Sequence, residues 1–116
     1  MKEDRIYLLH IRDAIHNIID YTAPGKAAFL EDRKTQDAVV RNLEIIGEAT
    51  KRVSSTLKQA HADIAWKAIA GMRDKLIHDY FGINIKLVWD AVERDLPVLH
   101  EKVKALLASL PPSTDQ

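Results

Sequence analysis

The residue types with the greatest capacity for chemistry lie in the segment GMRDKLIHDYFG, residues 71–82. On a helix of 3.6 residues per turn, Asp74 and His78 share a face, so the carboxylate can hold one ring nitrogen of the imidazole. Arg73 and Tyr80 are two turns apart on a common stripe. A guanidinium that holds an anion, a histidine that transfers protons and an acid that orients the histidine together suit general acid–base chemistry.

Arg73 and His78 do not converge automatically, because five positions along a helix correspond to about 140° around its axis. Convergence needs the long arginine to reach around the helix, a helix end near Gly82, or a second copy of the helix facing the first. The same residues also fit a different interpretation. An Arg and a His on the polar side of an amphipathic helix usually form a solvated surface, which Lys75 and Asp79 would suit.

Helical periodicity runs through the rest of the chain and predicts an all-α bundle with short connections. The predicted helices cover approximately residues 4–21 (with Asp4 as cap), a short turn at 26–30, 32–57, 63–80, one capped by Asn84 and one that begins at Pro97. Trp66 and Trp89 occupy predicted core positions. Gly47 and Gly71 are expected where two helices approach closely. No stretch predicts a strand or a repeat.

Composition limits the class of protein. A chain of 116 residues supports one modest core, so we expect one helical domain over residues 1–110 and a loose tail at 111–116. Seventeen basic and seventeen acidic side chains cancel, so any nucleic-acid contact would be a local patch. The absence of cysteine is typical of a reducing cytoplasm. With no signal-peptide pattern and no run of roughly 20 apolar residues, a soluble cytoplasmic protein is expected.

Other charged residues admit less specific interpretations. The histidines lack ligand-type spacing, so no metal site is predicted; they stand at positions 10, 16, 61, 78 and 100. Glu44 and Glu48 could act as a carboxylate pair, but a solvated or packing face explains them better. Lys51, Arg52 and Lys58 could supply local positive charge for RNA or could simply suit a helix C-terminus. Both alternatives for these three cations stay open.

The order R-x-x-x-x-H-x-Y, with the polar Asp74 directly after Arg73, resembles the signature of the HEPN superfamily. Three segments in the same order resemble its HepT-like branch, the toxins of HepT/MntA toxin–antitoxin pairs. They are RNLEIIGEATKRV, WKAIAGMRDKLIHDYFGI and VWDAVERDLP. The resemblance extends from about residue 4 to residue 107, which is nearly the whole chain.

This resemblance implies a HEPN-type up-and-down helical bundle that forms a homodimer, with the two motif helices lining one cleft. It implies a metal-independent endoribonuclease without a cofactor, in which Arg73, Asp74 and His78 are catalytic. Tyr80 matches the family's AMPylation acceptor, to which a partner nucleotidyltransferase attaches AMP. The expected partners are an RNA substrate (tRNA or mRNA) and an MntA-like nucleotidyltransferase antitoxin.

Two further hypotheses remain open at the level of the sequence. The first is a non-catalytic HEPN module that binds nucleotide, or that serves as an interaction partner of a nucleotidyltransferase. The second is a structural helical-bundle adaptor, which explains the fold but leaves the motif unaccounted for. The intact set of Arg73, Asp74, His78 and Tyr80 favours the nuclease over both.

Overall fold

The chain is all-α, as predicted, in a computed structural model that describes the backbone of residues 2–78 and 84–110 and the side chains of residues 3–72 and 84–110. No strand occurs within those ranges. The helical elements, in chain order, are α1 (Lys2–Tyr21), α2 (Lys26–Glu31), α3 (Arg33–Arg52), α4 (Ser55–Ala60), α5 (Trp66–His78), α6 (Ile85–Asp90), a π-helical segment (Ala91–Asp95) and α7 (Leu96–Ser109). None of the described helices is both long enough and apolar enough to cross a membrane.

Helix α1 lies at the centre of the packing, since it contacts both α3 and α7. Its residues Leu8, Ile11, Ile15 and Ile18 recur every three or four positions, and each is at most 1% exposed. Burial of such a side chain contributes about 1.5–3 kcal/mol, so this stripe accounts for the position of α1. Helix α3 in turn packs against α5. Helices α1 and α5 therefore both pack on α3, and α7 packs on α1.

The predicted helix over 32–57 is wrong, because the chain breaks into two helices at Val53 and Ser54. Val53 has an extended backbone conformation and ends α3. Ser54 then caps α4, as its hydroxyl oxygen accepts a hydrogen bond from the Leu57 N–H at 3.2 Å. Val53 and Leu57 are both buried, so apolar periodicity continues across the break and conceals it.

A buried carboxylate near the start of α1 fixes this break between α3 and α4. Asp4 is only 3% exposed. Its two oxygens accept hydrogen bonds from the Ser54 backbone N–H at 2.8 Å and from the Ser54 hydroxyl at 2.6 Å. The expectation that Asp4 caps α1 is therefore wrong: α1 begins at Lys2, and Asp4 holds the start of α4 instead.

The C-terminal part of the chain is helical without interruption from Ile85 to Ser109. Asn84 caps it as predicted, since its side-chain oxygen accepts from the Lys86 and Leu87 N–H groups at 3.0 and 3.3 Å. Pro97 lies in the first turn of α7, also as predicted. The separate start expected there is wrong, however, because the π-helical segment joins α6 to α7.

The predicted positions are confirmed for both tryptophans and for Gly47, but not for Gly71. Trp66 and Trp89 are 8% and 7% exposed, which confirms their core positions and leaves little ring surface for stacking on bases. Gly47 is buried in α3, as expected for a close approach. Gly71 is exposed, and apart from the adjacent residues and backbone of its own helix no described atom lies within 4 Å of the position its Cβ would take. A close helix approach at Gly71 is therefore not found among the described residues.

Candidate functional site

The R-x-x-x-x-H part of the motif lies on one helix, since α5 runs without a break from Trp66 to His78. Its start is three residues later than the predicted Asp63. The backbone thus places positions 74 and 78 one turn apart, as the spacing predicts. The side chains of Arg73, Asp74 and His78 lie outside those the structure describes, and Tyr80 lies outside the described backbone as well. Their convergence stays a prediction.

The N-terminal end of α5 is anchored in three ways. The Trp66 indole N–H donates to the His61 carbonyl at 3.0 Å. The turn before it closes through a 2.8 Å hydrogen bond from the Trp66 N–H to the Ile64 carbonyl. Lys102 of α7 donates to the Asp63 carbonyl at 2.7 Å. A helix held in this way at its start, with Trp66 in the core, has a fixed direction and register when it reaches the motif.

An apolar cavity of about 320 Å³ is lined by residues of α3, α5 and α7. Its wall is formed mainly by aliphatic side chains from the three helices, including Leu43, Ile46, Ile69, Met72, Leu96 and Leu99. Asp63 and Lys102 stand at its edge and form a 3.6 Å ion pair. Among the described lining residues the aliphatic side chains can neither bind a phosphate nor transfer a proton, and Lys102 is paired with Asp63. This part of the lining is therefore poorly suited to the chemistry that the motif suggests.

A more polar cleft of about 410 Å³ lies between α1 and α3. Aromatic and charged side chains line it, among them Tyr7, His10, Arg41, Glu44, Glu48 and Arg52. Each arginine has an acidic neighbour one turn away on α3: Arg41 Nη1 lies 3.9 Å from Glu44 Oε1, and Arg52 Nη2 lies 3.5 Å from Glu48 Oε1. This engagement of both glutamates fits the polar-face interpretation.

Tyr7 and His10 are the lining residues that sequence reasoning missed. They belong to α1, more than thirty positions before Arg41, and nothing in the spacing connects them to α3. Their rings meet edge to face with centroids 6.1 Å apart. The helical register of α1 places them on one side, but only the packing of α1 on α3 brings that side to the cleft.

The three candidate RNA-binding cations are distributed over two helices. Lys51 and Arg52 are exposed in the last turn of α3, where positive charge is favourable to the helix dipole. Lys58 lies beyond the break, in the last turn of α4, and is half-buried. Arg52 is paired with Glu48 across 3.5 Å. An RNA-binding role for these cations stays a prediction.

Comparisons with known proteins found relatives that match most of the chain. A family model described as ribonuclease HepT-like matches residues 11–106. A protein of Caldanaerobacter subterraneus, provisionally named an RNase, is 41% identical over 108 residues, which are 92% of this chain and 96% of that protein. A protein of Thermococcus cleftensis, provisionally named ribonuclease HepT, is 46% identical over 101 residues, 86% of this chain and 92% of its own.

A third relative, from Methanocaldococcus jannaschii, is also provisionally named an RNase. It is 43% identical over 97 residues, which are 83% of this chain and 80% of the relative. No solved structure matches the chain. The range matched by the family model includes α3, α5 and every position of the R-x-x-x-x-H-x-Y motif.

Proposed function

Because the chain belongs to the HepT-like ribonuclease family, we propose that it is a metal-independent endoribonuclease toxin of a toxin–antitoxin pair. The observation that carries the proposal is the intact motif from Arg73 to Tyr80 within the family match, on a chain whose relatives bear ribonuclease names. Continuous helix α5 supports it, since the backbone gives positions 73, 74 and 78 the helical spacing that the mechanism requires.

In this mechanism His78 is the general base. It takes the proton from an RNA 2′-hydroxyl, and the 2′-oxygen forms a bond to the adjacent phosphorus. The bond from phosphorus to the 5′-oxygen breaks, and a protonated histidine returns a proton to that oxygen. The products are a 2′,3′-cyclic phosphate and a free 5′-hydroxyl. Arg73 binds the non-bridging oxygens, where negative charge grows in the transition state, and Asp74 orients His78.

The catalytic cleft lies between two copies of the chain. Arg73 and His78 are about 140° apart around α5, so one helix presents them in different directions. Two copies related by a two-fold axis can face their α5 helices and bring an arginine of one to a histidine of the other. The homodimer thereby supplies the convergence that a single helix lacks.

Tyr80 is the point of control. A partner nucleotidyltransferase joins the tyrosine oxygen to the α-phosphorus of ATP, with release of pyrophosphate and loss of the phenolic proton. The resulting AMP group is bulky and negatively charged, so it excludes an RNA phosphate from the cleft by volume and by repulsion. The antitoxin is this nucleotidyltransferase, and the substrate is tRNA or mRNA.

The test is cleavage of labelled total tRNA by purified protein in excess EDTA, after intact mass has shown that Tyr80 carries no adduct. Wild type is expected to leave 2′,3′-cyclic phosphate ends. Arg73→Ala and His78→Ala are expected to lose activity, since positioned proton transfer alone is worth about 10²–10⁴ in rate. The control variants Arg33→Ala and His61→Ala remove the same residue types outside the motif, and both are expected to retain RNA cleavage activity.

Two results would contradict the proposal. If Arg73→Ala and His78→Ala both kept cleavage activity, the catalytic residues would have to lie elsewhere in the chain. No cleavage by adduct-free wild type, with tRNA and mRNA both tried, would instead support a non-catalytic module that works with a nucleotidyltransferase.

A further inference from the structure

Two histidines that are far apart in sequence meet on the surface between α1 and α7. The Nε2 atoms of His16 and His100 lie 3.2 Å apart. Their ring centroids are 5.1 Å apart, and the ring planes cross at 87°. The two residues are separated by 84 positions, so no ligand-type spacing could have revealed them.

This geometry matches that of two imidazoles sharing a metal ion. An ion at the usual zinc–nitrogen distance of about 2.0–2.1 Å from both Nε2 atoms would see them at about 100°, close to the tetrahedral angle. With the ion on the axes of both rings, the ring centroids would be about 5 Å apart, and the observed separation is 5.1 Å.

Access and charge are also suitable. His16 is exposed and His100 is half-buried, so an ion can reach both from solvent. Burial lowers the pKa of His100, and the charges of Lys104 and His16 lower it further, while Glu101 opposes them. A metal binds the neutral ring, so a lowered pKa reduces competition from the proton, while the positive charge of Lys104 opposes a bound proton and a bound metal ion alike. The positive charge of Lys104 is itself engaged, with Nζ 2.8 Å from Glu101 Oε2.

We propose that His16 and His100 form a surface site for a divalent ion of the zinc type, which clips α1 to α7. Imidazole nitrogens favour zinc, nickel and copper over magnesium or calcium. Within the described part of the chain no three ligand-type side chains gather at one point, so water fills the remaining positions and the ion exchanges with solvent. The site is on different helices from the R-x-x-x-x-H-x-Y motif, and the proposal does not depend on the nuclease function.

The test is isothermal titration of Zn²⁺ into chelator-treated, tag-free protein at pH 7.5, together with the melting temperature with and without Zn²⁺. Wild type is expected to bind Zn²⁺ saturably and to melt higher with it, because an ion that binds only the native state stabilises it. His16→Ala and His100→Ala are each expected to weaken Zn²⁺ binding at least ~10-fold. Mutation of a residue that only hydrogen-bonds a metal ligand already has an effect of that size, and these variants remove a ligand itself.

Control variants separate this pair from the other histidines. His61→Ala and His78→Ala are expected to bind as wild type does, and the second also shows that the motif is not the zinc site. Absence of saturable binding to wild type would overturn the proposal and leave the pair as an N–H···N hydrogen bond. Binding that persists in both His16→Ala and His100→Ala would overturn it equally.

Discussion

At the scale of single residues, Asp4 shows how a correct chemical inference can be attached to the wrong partner. A carboxylate near a helix start is expected to accept a hydrogen bond from a backbone N–H, and Asp4 accepts one. Its acceptor role serves Ser54, fifty positions away, and not its own helix. The sequence shows that this side chain can accept hydrogen bonds, whereas the packing of α1 on α3 decides which N–H donates to it.

Removal of that carboxylate should destabilise the whole fold. Asp4→Ala leaves the Ser54 N–H and hydroxyl without their buried acceptor, so the free energy of unfolding should fall by about 1–3 kcal/mol. Asp4→Asn keeps one carbonyl oxygen and should cost less. Urea denaturation of both variants measures the difference. Exposed Asp37→Ala serves as control, and an equal loss in Asp4→Ala and Asp37→Ala would show that the Ser54 contact is not stabilising.

At the scale of elements, the sequence predicts where helices exist better than where they join. The stripe of α1, the short α2 and the Asn84 cap are all encoded within a few neighbouring residues, and all three are confirmed. The break at Ser54 depends on a distant carboxylate. The π-helical segment depends on a hydrogen bond from the Leu96 N–H to the Ala91 carbonyl, five positions back.

The π-helical segment has a clear packing role. Val88, Val92 and Leu96 are four apart and all buried. Repeated steps of four drift around an α-helix of 3.6 residues per turn, but a wider turn corrects the drift and keeps the three on one face. Periodicity assumes one constant helical pitch, and Pro97 is typical of a helix start, so the sequence predicts one helix that includes Val88 and Val92 and a separate one that begins at Pro97.

The contact between α1 and α7 should make stability dependent on pH. The pKa of His100 is lowered in the folded chain by burial, by Lys104 and by His16, with Glu101 opposing. Between its ordinary pKa near 6.5 and the lower folded pKa, the unfolded chain binds the proton more readily. The free energy of unfolding should therefore decrease as the pH falls below about 6.5.

Urea denaturation at pH 7.5 and pH 5.5 in EDTA measures this effect, with His100→Gln beside wild type. The variant cannot titrate at position 100, so it should lose less stability on acidification than wild type does. An identical loss in both proteins would show that His100 does not contribute to the pH dependence.

At the scale of the whole molecule, neither the sequence nor the fold of one chain explains how Arg73 and His78 could meet in one catalytic site. The continuous backbone of α5 places Arg73, Asp74 and His78 on one helix, within the range that the family model matches. A helical wheel separates Arg73 from His78, and the residues that would unite them belong to another copy in the proposed dimer. Composition and periodicity do not predict how two copies of the chain pack together, because that depends on the complementarity of their surfaces.

Mixing two inactive variants tests that relation. Arg73→Ala and His78→Ala, co-refolded in equal amounts, should form mixed dimers in which one of two sites has both native side chains. With random pairing, RNA cleavage should recover to about a quarter of wild type if each site is shared across the two-fold axis. The variants refolded separately are the control. No recovery, with mixed dimers verified by native mass spectrometry, would place Arg73 and His78 of each site in the same chain.

The central position of α1 also shapes how the protein is made. Because α1 precedes α7 in the chain, the surface of α1 that α7 covers stays open to solvent until α7 has been synthesised. Arg5 meets the carbonyl of Leu107 only 102 residues later. Contacts of that separation slow folding relative to bundles built from neighbouring helices. A nascent chain that lacks α7 exposes the apolar surface of α1 that α7 otherwise covers, and exposed apolar surface of this kind favours aggregation.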